Sequence, residues 1–144
     1  MRSAAPAVDF IEGVRLLKQQ VHADGRGELV AFEQWENVPF PIERVFFMKI
    51  DRLGIARGGH ANSCDELIVP LAGSVLVEVD NGEARSTIRL RDRDQALWIR
   101  PGILIHLRDF GPDTVLLVFA SARYSETRHF DRAQPQIRLA NCTA

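Results

Sequence analysis

An all-β fold, a closed or nearly closed barrel or sandwich, is what this 144-residue sequence predicts. Three observations lead there. From Val14 onward, short apolar or alternating runs are separated by turn signals, the pattern of antiparallel sheets rather than of βαβ units. No long amphipathic helix interrupts them. The length is that of one domain, enough to bury a core without disulfide staples.

The elements follow in order. Residues 14–21 fit a helix or a strand, but Asp24-Gly25-Arg26-Gly27 makes a tight turn into residues 28–32, which favours a hairpin. Pro39-Phe40-Pro41 breaks the chain before a strand rich in aromatic and β-branched residues at 45–50. Residues 54–66 read as strand, turn, strand. Residues 66–71 and 74–80 are two strands joined at Ala72-Gly73, expected to pair with each other, and Asn81-Gly82 signals a type I′ turn into residues 86–90. Pro70 cannot donate to a ladder, so an edge or a bulge is expected there. Residues 96–99, the turn Arg100-Pro101-Gly102, and runs at 103–107 and 114–121 bring the count to nine or ten strands. The core of a single domain spans about 14–126, and the polar tail, 127–144, reads as an irregular or short helical cap.

Charge narrows the function. The 18 basic and 19 acidic residues nearly cancel and no stretch concentrates positive charge, so neither nucleic acid nor an anionic membrane surface is the expected partner. A small molecule or a protein is. Cys64 and Cys142 supply no disulfide framework, which points to a reducing cytoplasm. The N-terminal residues lack a sustained apolar segment of signal-peptide type, and no run approaches the length that spans a bilayer, so a soluble protein is expected.

The chemistry concentrates in Gly54-x5-His60-x-Asn62-x3-Glu66-x6-Gly73. Residues two apart on a strand share a face, so His60 and Asn62 project together. This spacing resembles the first motif of the cupin superfamily, with Asn62 where a second histidine is usual. Pro101 to His106 partly matches the second, Pro-x-Gly-x-x-His, with its glycine one place early at Gly102. On that resemblance His60, Glu66 and His106 occupy three of four metal-ligand positions. Two imidazoles and a carboxylate are a set that holds non-haem Fe(II) or a related metal.

A closer resemblance runs over about 14–126. Asp24-Gly-Arg-Gly-Glu-Leu29, Pro39-Phe-Pro-Ile-Glu-Arg44-Val-Phe-Phe47, Arg57-Gly-Gly-His60-Ala61, Gly73-Ser74 and the run from Asp109 to Glu126 resemble the dTDP-sugar 3,4-ketoisomerases, small RmlC-like jelly-roll cupins of nucleotide-sugar biosynthesis. The resemblance implies conversion of a dTDP-linked 4-keto-6-deoxy sugar to its 3-keto isomer through an enediol, with no metal or other cofactor. It also implies a homodimer, with N-terminal strands exchanged at the 14–32 hairpin. Such chemistry needs an acid or base poised near neutral pH, which suits histidine.

Arg57, His60 and Ala61 match the family pattern Arg-Gly-x-His-Ala-His, but its last histidine is Asn62 here, and an amide cannot exchange a proton at pH 7. The family also favours Trp-His four residues after Pro101, where this chain has Leu104-Ile105 and then His106, and a glutamine where Glu66 stands. The candidate catalytic residues are therefore His60, His106, Glu66 and Asn62, with Arg57, Arg44 and Tyr124 holding substrate. Two other readings stand beside an isomerase: a metal-dependent cupin using His60, Glu66 and His106, and a non-catalytic module that binds a sugar nucleotide or a partner.

Overall fold

The computed structural model describes residues 7–137, which form two antiparallel sheets closing on a common apolar core. In chain order the strands are β1 (Ala7–Ile11), β2 (Val14–Lys18), β3 (His22–Asp24), β4 (Gly27–Leu29), β5 (Arg44–Lys49), β6 (Arg57–Asn62) and β7 (Glu66–Ala72). Then come β8 (Val75–Asp80), β9 (Arg85–Leu90), β10 (Gln95–Ile99), β11 (Leu104–Arg108), β12 (Val115–Ala120) and β13 (His129–Phe130), with a 3-10 turn at Tyr124–Glu126. One sheet has the order β1-β2-β10-β7-β12-β5 and the other β13-β6-β11-β8-β9, while β3 and β4 form a separate ribbon. No helix among the described residues is long and apolar enough to cross a membrane.

Period-2 alternation builds the space between the sheets. Val75, Val77 and Val79 of β8, Ile105 and Leu107 of β11, and Leu116 and Val118 of β12 all point inward and are buried. Strand β7 is apolar on both faces for a different reason. Ile68 faces the core between the sheets, whereas Leu67 and Val69 pack under Val38 and Phe40 of the segment before β5.

The expected hairpin at 14–32 is redrawn. The turn at Gly25-Arg26 is present, but it joins β3 to β4, and β2 instead lies between β1 and β10 of the large sheet. Strands β7 and β8 do not pair with each other: β7 pairs with β10 and β12, and β8 with β11 and β9, so the chain crosses between sheets at Gly73. The Asn81-Gly82 turn is also wider than the two-residue kind. Asp80 pairs with Arg85, and the Asn81 side-chain oxygen accepts from the amides of Glu83 and Ala84, each at 2.8 Å. Pro70 sits in a central strand rather than at an edge. It is accommodated beside a bulge in the β12 pairing, and the β10 ladder stops two residues earlier at Ile68.

Candidate active site

At one end of the core the two sheets part around a cavity of about 660 Å³, within the range of small-molecule sites. Its apolar walls are Phe46, Met48, Ile68, Ile105, Leu107 and Val118. Its polar groups arrive from five elements. Arg44 is the first residue of β5 and Glu66 the first of β7; His60 and Asn62 share the inner face of β6; Tyr124 comes from the 3-10 turn and His129 from β13. Arg57 lies at the exposed rim.

Strand β6 reaches this geometry through its glycines. Ile105 pairs with His60 while the next residue of β11, His106, pairs with Gly58, so Gly59 is an extra residue bulged out of the ladder. Gly58 and Gly59 both have positive φ, 86° and 81°, which L side chains rarely adopt. A Cβ on Gly58 would also lie 3.0 Å from the Ile105 carbonyl oxygen. The glycine pair between Arg57 and His60 thus lets both of them address the cavity.

At the floor, Glu66 is 6% exposed. Its Oε1 accepts a 2.9 Å hydrogen bond from Asn62 Nδ2, and its Oε2 lies 3.9 Å from Arg44 Nη2. Burial pushes the Glu66 carboxyl above the ordinary carboxylate range, opposed by the Asn62 hydrogen bond and the Arg44 charge. Arg44 runs beneath two rings, its guanidinium 5.3 Å from the Phe46 centroid and 5.6 Å from that of Tyr124. Its Nε and Nη1, and Asn62 Oδ1, are buried without a protein partner. Buried polar groups seldom stay unpaired, so these two donors and one acceptor are groups that a polar ligand would satisfy.

Above the floor stand two imidazoles. The rings of His60 and His129 are 5.6 Å apart and nearly perpendicular, at 73°, and the Tyr124 ring lies 5.4 Å from His129. Desolvation first, then the charges of His60 and Arg44, press the His129 pKa below its ordinary value. Neutral imidazole is the form available at pH 7 to accept a proton.

The structure brings six of the seven sequence candidates together: His60, Asn62, Glu66, Arg44, Arg57 and Tyr124 all line the cavity. The seventh is corrected. His106 lies between the inward-facing Ile105 and Leu107 and so projects from the opposite face of β11, across from Glu78 of β8 and beside Gly59. The metal set of His60, Glu66 and His106 is therefore not assembled, because one of its imidazoles is on the outside of the sheet. His129 is the cavity residue that motif reading missed. The available signal was that a chain with only four histidines places one in its polar tail, just beyond Tyr124. Of the cysteines, Cys64 is a buried free thiol, near Thr127 Oγ1 at 3.8 Å; Cys142 and the end of the tail lie outside the described residues.

A family model described as FdtA: WxcM-like, C-terminal, matches residues 12–135. The chain belongs to the FdtA family. Among relatives of this FdtA-family protein is the TDP-4-oxo-6-deoxy-alpha-D-glucose-3,4-oxoisomerase of Aneurinibacillus thermoaerophilus, 34% identical over 122 residues, or 82% of this chain and 88% of the relative. A solved structure of the 3,4-ketoisomerase QdtA from Thermoanaerobacterium thermosaccharolyticum, a histidine-to-asparagine mutant in complex with TDP-4-keto-6-deoxyglucose, superposes with a TM-score of 0.81 at 30% identity. The match covers 85% of this chain and 90% of that one. The WlaRB TDP-quinovose 3,4-ketoisomerase from Campylobacter jejuni superposes at 0.76 with 29% identity, over 79% of this chain and 88% of that one. The two facing sheets of this FdtA-family chain are thus the RmlC-like cupin jelly roll.

Proposed function

We propose that this protein is a nucleotide-sugar 3,4-ketoisomerase acting on a TDP-linked 4-keto-6-deoxyhexose. The observation that carries the reading is the relative of that activity, 34% identical along 82% of the chain, joined to a cavity that places histidine beside unpaired hydrogen-bonding groups. The reaction moves hydrogen without net oxidation. A base removes the proton on C3, and the electron pair of that C–H bond becomes the C3–C4 double bond as the C4 carbonyl oxygen takes up a proton. The 3-hydroxyl then gives up its proton to become the carbonyl, and C4 receives one. Every step is a proton transfer.

His60 is the acid–base group on the cavity wall in this scheme. The free Nε–H and Nη1–H of Arg44 donate to the oxygen that gains negative charge in the enediolate, the preorganised arrangement that stabilises such charge best. Asn62 and Glu66, held to each other, orient a sugar hydroxyl through the amide oxygen. Arg57 and Tyr124 at the rim hold the diphosphate end of the substrate. Incubation with TDP-4-keto-6-deoxyglucose in deuterated water is the test. NMR is expected to show 3-keto product and solvent-derived deuterium in the sugar, and His60→Gln is expected to slow both by about a hundredfold or more. Absence of both in the wild-type protein removes the isomerase reading.

One observation favours a second reading, binding without turnover. On the family resemblance Asn62 stands where a histidine is expected, and a histidine-to-asparagine mutant of QdtA is in complex with TDP-4-keto-6-deoxyglucose. In that case calorimetry shows TDP-sugar binding, the wild-type protein leaves the sugar unchanged, and Asn62→His gains exchange. We also read the protein as a homodimer, since Val45 and Phe47 of the edge strand β5 turn apolar side chains outward.

A further inference from the structure

We propose that His129 is the second proton-transferring side chain of the cavity, acting on the same substrate as His60. The proposal rests on the ketoisomerase reading and assigns a residue to it.

Register puts the group there. In the antiparallel pairing of β13 with β6, His129 stands directly opposite Asn62. Residues opposite one another in such a pair project from the same face, with Cβ atoms about 4.5–5.5 Å apart. The chain therefore returns an imidazole to the inner face at the point where residue 62 offers only an amide. The ring does not float. β13 is tied to the end of β6 by Ser63 N–H donating to the Arg128 carbonyl at 3.0 Å and Arg128 N–H donating to Ser63 Oγ at 2.8 Å. Thr127 Oγ1 donates to the Arg123 carbonyl at 2.8 Å just before it.

The partner is as informative as the position. With the His60 and His129 rings 5.6 Å apart, adjacent substrate atoms placed alongside them lie within hydrogen-bond reach of both. The isomerisation requires transfers at two neighbouring carbons and at their two oxygens. A single imidazole would have to visit all four atoms; two fixed imidazoles divide them, one serving the carbons and the other the oxygens. His129 is faced by His60 from β6, Arg44 from β5 and Tyr124 from the 3-10 turn, with Arg128 its neighbour in sequence and the Glu66 carboxyl at the cavity floor. Desolvation first, then the charges of His60 and Arg44, hold the His129 pKa below its ordinary value, which favours the neutral, proton-accepting imidazole.

The test compares wild-type protein, His129→Gln and His60→Gln with TDP-4-keto-6-deoxyglucose across pH. His129→Gln is expected to lower kcat about a hundredfold while KM changes less than about threefold, and to abolish the limb of kcat/KM that rises through the acid side of the ordinary histidine range near pH 6.5. A variant of an active wild-type protein that keeps half its kcat, or loses only KM, or loses rate with that limb unmoved, overturns the assignment and leaves the isomerase reading intact. A wild-type protein that makes no 3-keto product removes both.

Discussion

Glu66 shows how one side chain carries structure and chemistry together. It begins β7 with its neighbours apolar on both faces, so the strand pattern drags a carboxyl into the core, where Asn62 and Arg44 partly compensate it. Burial dominates and raises its pKa, so the folded state holds this proton more tightly than the unfolded chain. The stabilisation is present below the unfolded value of about 4.3 and is lost as pH rises through the raised folded value. Compared with Glu66→Gln, the wild-type protein is expected to lose stability progressively as pH climbs from about 4 toward neutrality. Parallel denaturant titrations from pH 4 to 8 measure this, and a constant difference between the two proteins across that range excludes it. The same residue shows what a motif conveys: its spacing from His60 was legible, but its hydrogen bond to the half-buried amide of Asn62 and the outward turn of His106 were not.

At the level of elements, the strand-forming runs were readable because alternation and turn residues are local signals. Their partners were not. β7 and β8 are separated by only two residues, Gly73 and Ser74, and local reasoning makes them a hairpin, yet both have core faces that are satisfied in different sheets. The crossing point is demanding. Gly73 has φ 74°, and a Cβ there would come within 2.5 Å of Thr114 Cα, while the Thr114 hydroxyl donates to the Ser74 carbonyl at 3.0 Å and accepts from its amide at 3.1 Å. Gly73→Ala combines left-handed strain with a backbone clash and is expected to cost about 2 kcal/mol or more. Thermal melts followed by circular dichroism should show a midpoint lower by roughly 5 °C. An unchanged midpoint would mean that the crossover can shift to make room. Strand β13 illustrates the opposite limit, being two residues long and without periodicity to read.

For the molecule as a whole, the inner and outer faces of β5 divide the labour. Arg44, Phe46 and Met48 line the cavity, whereas Val45 and Phe47 are 52% and 68% exposed on a strand that has no neighbour on one side among the described residues. An open edge with outward apolar residues is a surface that natural proteins cover. Light scattering is expected to give twice the 16.2 kDa of one chain, and Phe47→Glu to shift the population toward monomer while leaving the cavity lining untouched. A wild-type protein that elutes as a monomer at micromolar concentration refutes this use of the edge.

The sequence by itself determined that the chain is a β protein with a cupin-like polar motif, that His60 and Asn62 share one face, and that Arg57 and Glu66 accompany them. The β class and the shared face follow from a period of two residues and from turn chemistry, both of which act over a few positions; the motif and the company of Arg57 and Glu66 follow from the family resemblance. Only the tertiary structure decided which strands pair, that His106 faces away from the cavity, and that His129 enters it. A strand's two faces are equivalent until a partner sheet buries one of them, and a histidine sixty-nine residues beyond His60 reaches it only through the register of β13 on β6.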